Sequence, residues 1–288
     1  MRSVVINDFF VCIGAQKAGT SWLARMLRTH PDLFLTPVTE VHYFDHIRGI
    51  TEHLSSRKRR SRYRKYHQRL LTQWHHFGEH RSQWAWYRDY MRSPINDEWY
   101  ASLFRHRGAK RFAGEVTPEY AILGKEGFEH LKTLSPEVRV LFIMRNPVTR
   151  AWSQALHLCR SRGLDATRQS PEMMFALLDE PQFQQLGDYS ATLDTMAAVF
   201  RPDQTLELFY EDIHKDRLEA LEQVCRFIGM SHSARMFDRA GRGFNQSQEA
   251  ALPETVRARL RETYRPLAQA VRQRIGRVPE SWAREFGI

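Results

Sequence analysis

Apolar residues in this chain form short continuous runs that alternate with longer stretches of helical spacing. Residues 9–13, 138–144 and 205–210 are apolar runs that contain β-branched members. Runs of this length predict buried strands. In residues 20–30 the apolar positions instead recur every three or four residues, which predicts a helix. Strands separated by helical stretches predict an α/β fold, in which a P-loop-like central parallel β-sheet carries helices on both faces.

The first predicted strand leads directly into a glycine-rich loop. The sequence CIGAQKAGTSW, residues 12–22, offers two glycines, a lysine and two adjacent hydroxyls. A loop between a strand and a helix presents backbone N–H groups and the positive end of the helix dipole, which together bind phosphate. The strand at 138–144 is followed by Arg145 and by Pro147, which suits the first turn of a helix. Ligands bind where such strands end, so both loops are expected to face one ligand.

The position of the lysine separates this loop from that of nucleotide triphosphatases. Lys17 precedes the second glycine of the loop, Gly19, and the GK[ST] signature is absent. Taken alone, the loop predicts either a phosphate site or an ordinary strand–helix turn. Triphosphatases also need Mg²⁺, held in part by an Asp at a strand end. The strand at 138–144 ends in Arg145 instead. The sequence FYED at 209–212, however, also places acidic residues at the end of a predicted strand, so a triphosphatase is not fully excluded.

Residues 46–110 differ in composition from the rest of the chain. Residues 57–69 hold eight Lys or Arg and no acid, and residues 83–92 are dense in aromatics. We interpret 46–110 as a helical, basic and aromatic insertion within a single domain that spans 1–288. The basic run predicts a solvated face, or a surface for an anionic membrane or an acidic substrate. Residues 253–276 predict one long polar helix.

Composition limits the classes of protein. The formal net charge is +10, which favours anionic partners such as nucleotides, acidic sugars, nucleic acids or anionic lipid. The three cysteines, Cys12, Cys159 and Cys225, lie far apart and predict buried thiols, and no cluster predicts a metal site. No apolar run approaches the roughly 20 residues that span a bilayer, and no secretory signal is recognised. A soluble, cytoplasmic protein without a metal is expected.

Four blocks resemble sulfotransferases that use 3′-phosphoadenosine-5′-phosphosulfate. QKAGTSW at 16–22 is similar to the family's 5′-phosphosulfate loop, and IMRNPVTRAWS at 143–153 to its 3′-phosphate segment. Residues 206–229 are similar to its next strand–helix unit, and TEVHYFD at 39–45 resembles the heparan-sulfate-type and related bacterial branch. The resemblance implies the sulfotransferase fold. It also implies transfer of the sulfuryl group from that donor to an acceptor hydroxyl or amine, which leaves adenosine 3′,5′-bisphosphate.

The resemblance implies roles on the donor side. Lys17 would stabilise or protonate the leaving oxygen, and Arg145 and Ser153 would hold the 3′-phosphate. Trp22 would stack on adenine or belong to the core. The residues implied to bind the donor are Gln16, Lys17, Ala18, Gly19, Thr20, Ser21, Trp22, Arg145, Ser153, Arg242 and Gly243.

The resemblance also implies roles on the acceptor side, beside the insertion at 46–110. Glu40 is expected to be the general base, with a pKa that its neighbours raise toward neutrality, and His42 is the alternative catalytic base. In heparan-type enzymes a GEKTPAY-like stretch carries a Lys that binds the sulfated sugar. The matching stretch of this chain, GEVTPEY at 114–120, has Val116 in place of that Lys, so this cation is missing. The residues implied to contact the acceptor are Tyr43, Asp45, Glu115 and Thr117, and Asp45 is alternatively expected to orient His42.

The acceptor itself and two other functions stay open on sequence alone. The acceptor is expected to be a carbohydrate, a glycolipid or a small metabolite. A small-molecule kinase with a degenerate P-loop would bind ATP together with Mg²⁺. A non-enzymatic nucleic-acid-binding protein agrees with the charge, but no motif of that class is present and no nucleic acid partner is expected.

Overall fold

Five parallel strands form the centre of the computed structural model, which describes residues 5–72, 77–237 and 250–288. In chain order the strands are β1 Phe9–Gly14, β2 Leu33–Leu35, β3 Phe112–Val116, β4 Arg139–Met144 and β5 Thr205–Phe209. They lie side by side in the order β2-β3-β1-β4-β5, and every neighbouring pair is parallel. The prediction of a central parallel sheet is confirmed, and β2 and β3 are added to the three predicted strands.

Helices flank the sheet. Every residue of β1 is buried. Because successive side chains of a strand point to opposite faces, burial along its whole length requires cover on both faces. The helices are α1 Thr20–Leu27, α2 Tyr43–Ile47, α3 Ser56–Thr72, α4 Phe77–Tyr90, α5 Asp97–Phe104, α6 Gly124–Leu134, α7 Pro147–Ser161, α8 Pro171–Leu178, α9 Pro181–Gln185, α10 Tyr189–Val199, α11 Tyr210–Lys215, α12 Arg217–Ile228, α13 Glu254–Ile275 and α14 Glu280–Phe286.

The turn from β1 into α1 depends on a glycine. Gly19 stands at the N-cap of α1 with a φ of 83°, in the left-handed region that glycine adopts without a steric penalty. A Cβ at this position would lie 3.1 Å from the ring of Tyr210. The absence of a side chain therefore lets the loop pass close to α11.

Residues 46–110 contain α3, α4 and α5. Arg59 belongs to the basic run but is buried, and its Nη1 donates to the carbonyls of Tyr90 at 3.0 Å and Arg92 at 2.8 Å. This arginine joins α3 to the end of α4. Trp86 is buried and stacks on Tyr90 with the ring centroids 5.0 Å apart, whereas Trp84 is exposed. Most of these aromatic side chains are therefore core residues of the helical unit.

The predicted C-terminal helix is confirmed as α13, which spans Glu254–Ile275. Its buried positions Val256, Leu260, Tyr264, Ala268 and Val271 recur every three or four residues, so one face packs on the core and the rest is solvated. Across the described part of the chain, no helix has both the length and the apolar character that a membrane span requires.

Candidate active site

The loops that follow β1 and β4 meet at the carboxyl edge of the sheet. Arg145, directly after β4, donates from Nη1 to the carbonyl of Lys17 over 3.0 Å. Its Nε donates to Thr149 Oγ1 at 3.1 Å, and its guanidinium carbon lies 4.6 Å from the centre of the Tyr210 ring. These contacts fix the Arg145 side chain beside the glycine-rich loop. The structure thus brings together the two segments that were expected to share one donor.

Lys17 lies at the centre of this loop. Its backbone is left-handed, with a φ of 68°, which is uncommon for a residue other than glycine. Burial, and then the positive charges of Arg145 and Arg160, lower the pKa of Lys17 from its ordinary value. An anion bound in the loop would offset this repulsion and favour the charged ammonium. The electrostatics around Lys17 therefore suit an anionic ligand.

A cleft of about 1200 Å³ opens in front of the two loops. Ala18 of the loop, by contrast, is fully buried, and Arg242 and Gly243 lie outside the described residues. The predicted site residues that line the cleft are Gln16, Lys17, Gly19, Thr20, Ser21, Trp22, Glu40, His42, Arg145 and Ser153.

His42 is held between two carboxylates. It caps α2 with a left-handed φ of 61°, and its side chain is buried. Its Nδ1 lies 2.9 Å from Asp45 Oδ2, and its Nε2 lies 3.5 Å from Glu40 Oε2. Burial by itself lowers the pKa of His42, but the hydrogen bonds with Asp45 and Glu40 outweigh it and raise the pKa to about 9. At neutral pH His42 is therefore an imidazolium.

Glu40 carries the opposite shift from the one predicted. Burial pushes the pKa of Glu40 up, but the hydrogen bond and the charge of His42 outweigh it, and the pKa lies below its ordinary value. The expectation that its neighbours raise this pKa was wrong, because the nearest neighbour is a cation. The Glu40 side chain is 40% exposed, so an ionised carboxylate reaches the cleft. Of the two predicted bases, only Glu40 is unprotonated at neutral pH.

Glu119 is a second carboxylate of the cleft, which sequence reasoning missed. It is buried, and its Oε1 accepts a hydrogen bond from Gln16 Nε2 at 3.0 Å. Its Oε2 lies 3.9 Å from His42 Nδ1 and has no hydrogen-bond partner among the described residues. Burial, and then the negative charge of Glu40, raise the pKa of Glu119 to about 7. Glu119 belongs to the 3₁₀ helix Pro118–Ile122 that follows β3, so recognition of β3 would have located it.

The predicted acceptor contacts lie beneath the cleft. Glu115 and Thr117 are buried, and the Thr117 hydroxyl donates to Glu115 Oε2 at 2.8 Å. Glu115 Oε1 accepts from the hydroxyls of Tyr100 and Tyr120. Burial raises the pKa of Glu115 to about 7. This network occupies the polar atoms of Glu115, and neither predicted residue is among the described residues that line the cleft.

Tyr43 and Asp45 are also buried, and neither is among the described cleft-lining residues. The Tyr43 hydroxyl donates to Asp97 Oδ1 at 2.6 Å. Asp45 faces His42 and accepts from the Thr51 hydroxyl. The structure therefore does not place Tyr43, Asp45, Glu115 or Thr117 where an acceptor in this cleft would touch them. Asp45 orients His42, which is the alternative role expected for it, because the helical turn of α2 places the two side chains on one face.

The helical insertion supplies further groups to the cleft. Lys58 and Arg62 of α3 line it, and Arg62 Nη1 donates to the Tyr90 hydroxyl at 2.9 Å. His53 also lines the cleft, and its ring centroid lies 4.2 Å from that of His42. Burial, and then the charge of His42, lower the pKa of His53 to about 4, so this second histidine is neutral. Lys58 and Arg62 belong to the basic run at 57–69, but no short motif distinguishes them within that run or marks His53.

His42, His53 and Glu119 have potential metal-ligating atoms within 4.8 Å of one another. The two imidazole rings, however, are tilted against each other, with an interplanar angle of 34°. Lone pairs of imidazole nitrogens lie in the ring plane, and both ring nitrogens of His42 are already directed at the carboxylates of Asp45 and Glu40. Among the described residues Glu119 makes no hydrogen bond to either ring, since its Oε1 accepts from Gln16 and its Oε2 has no hydrogen-bond partner, and we assign no metal to the three residues.

The acidic pair in FYED bonds to residues that are not among the described residues lining the cleft. Glu211 Oε1 accepts from the backbone N–H of Asn146 at 2.8 Å, and Asp212 Oδ2 pairs with Arg277 at 2.7 Å. Neither residue is among the described residues that line the cleft. The strand end that faces the glycine-rich loop carries Arg145, so the arrangement of a magnesium-dependent triphosphatase is not reproduced.

Fold and site together define an α/β protein with a glycine-rich loop whose electrostatics suit an anion, a cation at the next strand end and a carboxylate–imidazolium pair in the same cleft. A model of the sulfotransferase family matches residues 9–234. The chain belongs to the sulfotransferase family.

Similar proteins agree with this assignment. The chain is 25% identical over 224 residues to mouse heparan sulfate glucosamine 3-O-sulfotransferase 3B1, a match that covers 76% of this chain and 45% of that protein. It thus spans about half the length of the curated relatives that it matches.

Two solved structures share the fold. One is a sulfotransferase from Alicyclobacillus acidocaldarius, with a TM-score of 0.66 and 22% identity over 97% of this chain and 99% of that one. The other is the sulfotransferase domain of the Synechococcus PCC 7002 olefin synthase, with a TM-score of 0.52 and 19% identity over 87% of this chain and 82% of that one.

Proposed function

We propose that this chain, as a single domain, transfers the sulfuryl group of 3′-phosphoadenosine-5′-phosphosulfate to an acceptor hydroxyl or amine. The product would be adenosine 3′,5′-bisphosphate. The observation that carries the proposal is the contact between Arg145 and the loop at Lys17. It places a cation suited to a 3′-phosphate beside a loop suited to a 5′-phosphosulfate, in the same cleft as Glu40.

The donor side suits a nucleotide with two separate anionic groups. The N-terminus of α1, with the hydroxyls of Thr20 and Ser21, would hold the 5′ group. Arg145 and Ser153 would hold the 3′-phosphate, which distinguishes this donor from ATP. Trp22 is half-buried, and its indole N–H has no partner among the described residues. We assign its ring to the adenine.

The reaction is a displacement at sulfur, for which the chain supplies positioning and charge. Glu40 accepts the proton of the acceptor hydroxyl as the acceptor oxygen bonds to sulfur. Lys17 donates to the bridging oxygen as the bond between that oxygen and sulfur breaks. His42, protonated and fixed by Asp45, holds the Glu40 carboxylate in its ionised form.

Calorimetry with adenosine 3′,5′-bisphosphate, adenosine 5′-phosphate and ATP tests the donor, each in EDTA and in Mg²⁺. We expect tight binding of the bisphosphate that does not depend on the metal. Turnover is then followed as bisphosphate released from the phosphosulfate donor with a panel of acceptors. Binding of ATP only with Mg²⁺, without preference for the bisphosphate, would support a kinase and contradict the proposal.

The acceptor class that we propose is a carbohydrate, glycolipid or small metabolite that bears an acidic group. The names of the curated relatives state activity on heparan sulfate glucosamine, which supports a carbohydrate. Val116 provides no cation, but Lys58 and Arg62 supply two from α3. Exposed cations of the same helix, such as Arg64, extend this charge outside the cleft, where an acidic acceptor or an anionic membrane surface would meet it.

Paired neutral and carboxylated or sulfated oligosaccharides test this class. Lys58→Ala and Arg62→Ala should raise KM for the acidic acceptor and leave KM for the donor unchanged. Arg64→Ala is the matched control, because Arg64 is exposed on α3 and is not among the described residues that line the cleft. Equal KM changes in all three variants would instead indicate a diffuse surface effect.

A further inference from the structure

Glu119 connects the two halves of the proposed site. Its Oε1 accepts from Gln16 Nε2 in the donor loop at 3.0 Å, and its Oε2 lies 3.9 Å from His42 Nδ1 on the acceptor side. We propose that Glu119 is a positioning residue that takes up a proton when an anionic donor fills the loop, and so keeps Glu40 ionised. The inference rests on the proposed function, because it needs that donor in the loop.

Glu119 is placed to gain a proton. Its side chain is buried, and Oε2 has no hydrogen-bond partner among the described residues. The charged groups that act on it are Glu40, His42 and Asp45, and the imidazole of His53, whose pKa is lowered to about 4, also lies within 4.8 Å. Burial and the negative charge of Glu40 already raise its pKa to about 7. An anion in the loop adds negative charge nearby and competes for the N–H groups of Gln16, and both effects favour the protonated carboxyl.

The uptake of a proton by Glu119 protects Glu40. An anion that enters the loop raises the pKa of every nearby carboxyl group. This includes Glu40, which must stay ionised to act as the base. The negative charges of Glu40 and Glu119 repel each other, so neutralising Glu119 removes one unfavourable charge. Glu40 then keeps its hydrogen bond with the His42 imidazolium. The donor would therefore prepare the base before the acceptor binds.

Proton-linked calorimetry tests the proposal without an acceptor. Adenosine 3′,5′-bisphosphate is titrated at pH 7.0 to 8.0 in buffers of different ionisation enthalpy, which gives the number of protons taken up on binding. We expect wild type to take up about half a proton more than Glu119→Gln, since a group with a pKa near 7 is partly ionised at this pH. The titration of the bisphosphate itself is common to both proteins and cancels in the difference.

Glu115→Gln is the matched control. Glu115 is also a buried carboxyl with a pKa raised to about 7, but it bonds to Thr117, Tyr100 and Tyr120. This variant should keep the proton uptake of wild type. Gln16→Leu leaves Glu119 in place and removes its donor, so the carboxyl is protonated before the ligand binds and the uptake should fall.

The outcomes separate the two proposals. If the bisphosphate does not bind wild type, the proposed function fails and the role of Glu119 fails with it. If it binds but Glu119→Gln and Gln16→Leu take up as many protons as wild type, only the role of Glu119 is overturned. Should Glu119→Gln lose its circular dichroism spectrum, Gln16→Leu alone decides.

Discussion

Arg145 donates a hydrogen bond of 3.0 Å to the carbonyl of Lys17 and thereby ties the loop after β4 to the loop after β1. The hydrogen bond joins the Arg145 side chain to the Lys17 backbone, so it holds the loop in place regardless of the conformation of the Lys17 side chain. A second consequence is electrostatic, because Arg145 is one of the charges that lower the pKa of Lys17. One arginine therefore shapes the donor loop and also makes it attractive to an anion.

Arg145→Ala should weaken binding of adenosine 3′,5′-bisphosphate by roughly 10- to 150-fold, since a charge-assisted hydrogen bond contributes about 1.5–3 kcal/mol. Binding of adenosine 5′-phosphate should weaken less, through the loss of the tie to the loop. Calorimetry with both ligands measures the ratio. Arg226→Ala, which removes an exposed arginine paired with Glu222, is the control. An unchanged preference for the bisphosphate in Arg145→Ala would show that Arg145 does not read the 3′ group.

Glu40→Gln keeps the shape of the side chain and removes the base. It should lower kcat by about 10²- to 10⁴-fold while affinity for the bisphosphate barely changes. The pH profile distinguishes Glu40 from His42. With Glu40 as the base, its lowered pKa predicts a rate that is flat between pH 6 and pH 8. A rate that climbs tenfold per pH unit toward pH 9 would identify His42, whose pKa is raised to about 9.

Lys17→Ala should reduce both kcat and the affinity for the bisphosphate, because Lys17 would contact the bound donor and the developing charge on the leaving oxygen. We expect a large loss of kcat together with weaker binding of the bisphosphate. Lys58→Ala removes a lysine from the acceptor side of the same cleft and should leave bisphosphate affinity at the wild-type value. Equal losses of affinity in both variants would mean that only the overall positive charge of the cleft matters.

The sequence pattern was sufficient for three of the five strands. β1 and β4 are buried along nearly their whole length and therefore read as apolar runs. β3 was missed because its sequence, FAGEV, contains a glycine and an acid. Gly114 is needed there, since a Cβ would lie 2.5 Å from the carbonyl oxygen of Phe10. Glu115 is tolerated because hydroxyl groups satisfy its carboxylate. Both the glycine and the acid are explained by contacts with distant parts of the chain, so the local sequence does not indicate a strand.

The candidate site likewise contains residues that the sequence predicts and residues that only the fold brings to the cleft. Lys17 and Arg145 follow strand ends and lie in motifs, so their proximity was predictable. Glu119 lies in the stretch 114–120 that resembles the GEKTPAY-like motif, but the motif does not single it out, and His53 lies in the helical insertion, where no motif marks it. The pKa direction of Glu40 was also beyond the sequence, because it depends on a protonated His42 lying 3.5 Å away. The spacing of residues in the sequence identifies the members of the site. The protonation state of a neighbouring side chain, however, depends on the three-dimensional arrangement.

The buried Glu115 should make stability fall as the pH rises. Its pKa is raised to about 7 in the folded chain, so the folded state binds the proton more tightly than the unfolded state. The stabilisation is complete below the unfolded pKa of about 4.5 and is lost as the pH rises through 7, which amounts to about 3 kcal/mol. His42, with a pKa raised to about 9, extends the loss to higher pH.

Glu115→Gln isolates the contribution of this carboxyl, because the amide is neutral at every pH. Denaturant unfolding at pH 5, 6.5 and 8 gives the free energy of unfolding of both proteins. Relative to wild type, the variant should gain about 3 kcal/mol between pH 5 and pH 8, whatever its absolute cost from the altered hydrogen bonds. Glu129→Gln, at an exposed site paired with Lys125, should show no such trend. Parallel pH curves for wild type and Glu115→Gln would mean that Glu115 titrates at its ordinary pKa, because the hydrogen bonds from Tyr100, Thr117 and Tyr120 then offset the effect of burial on its carboxylate.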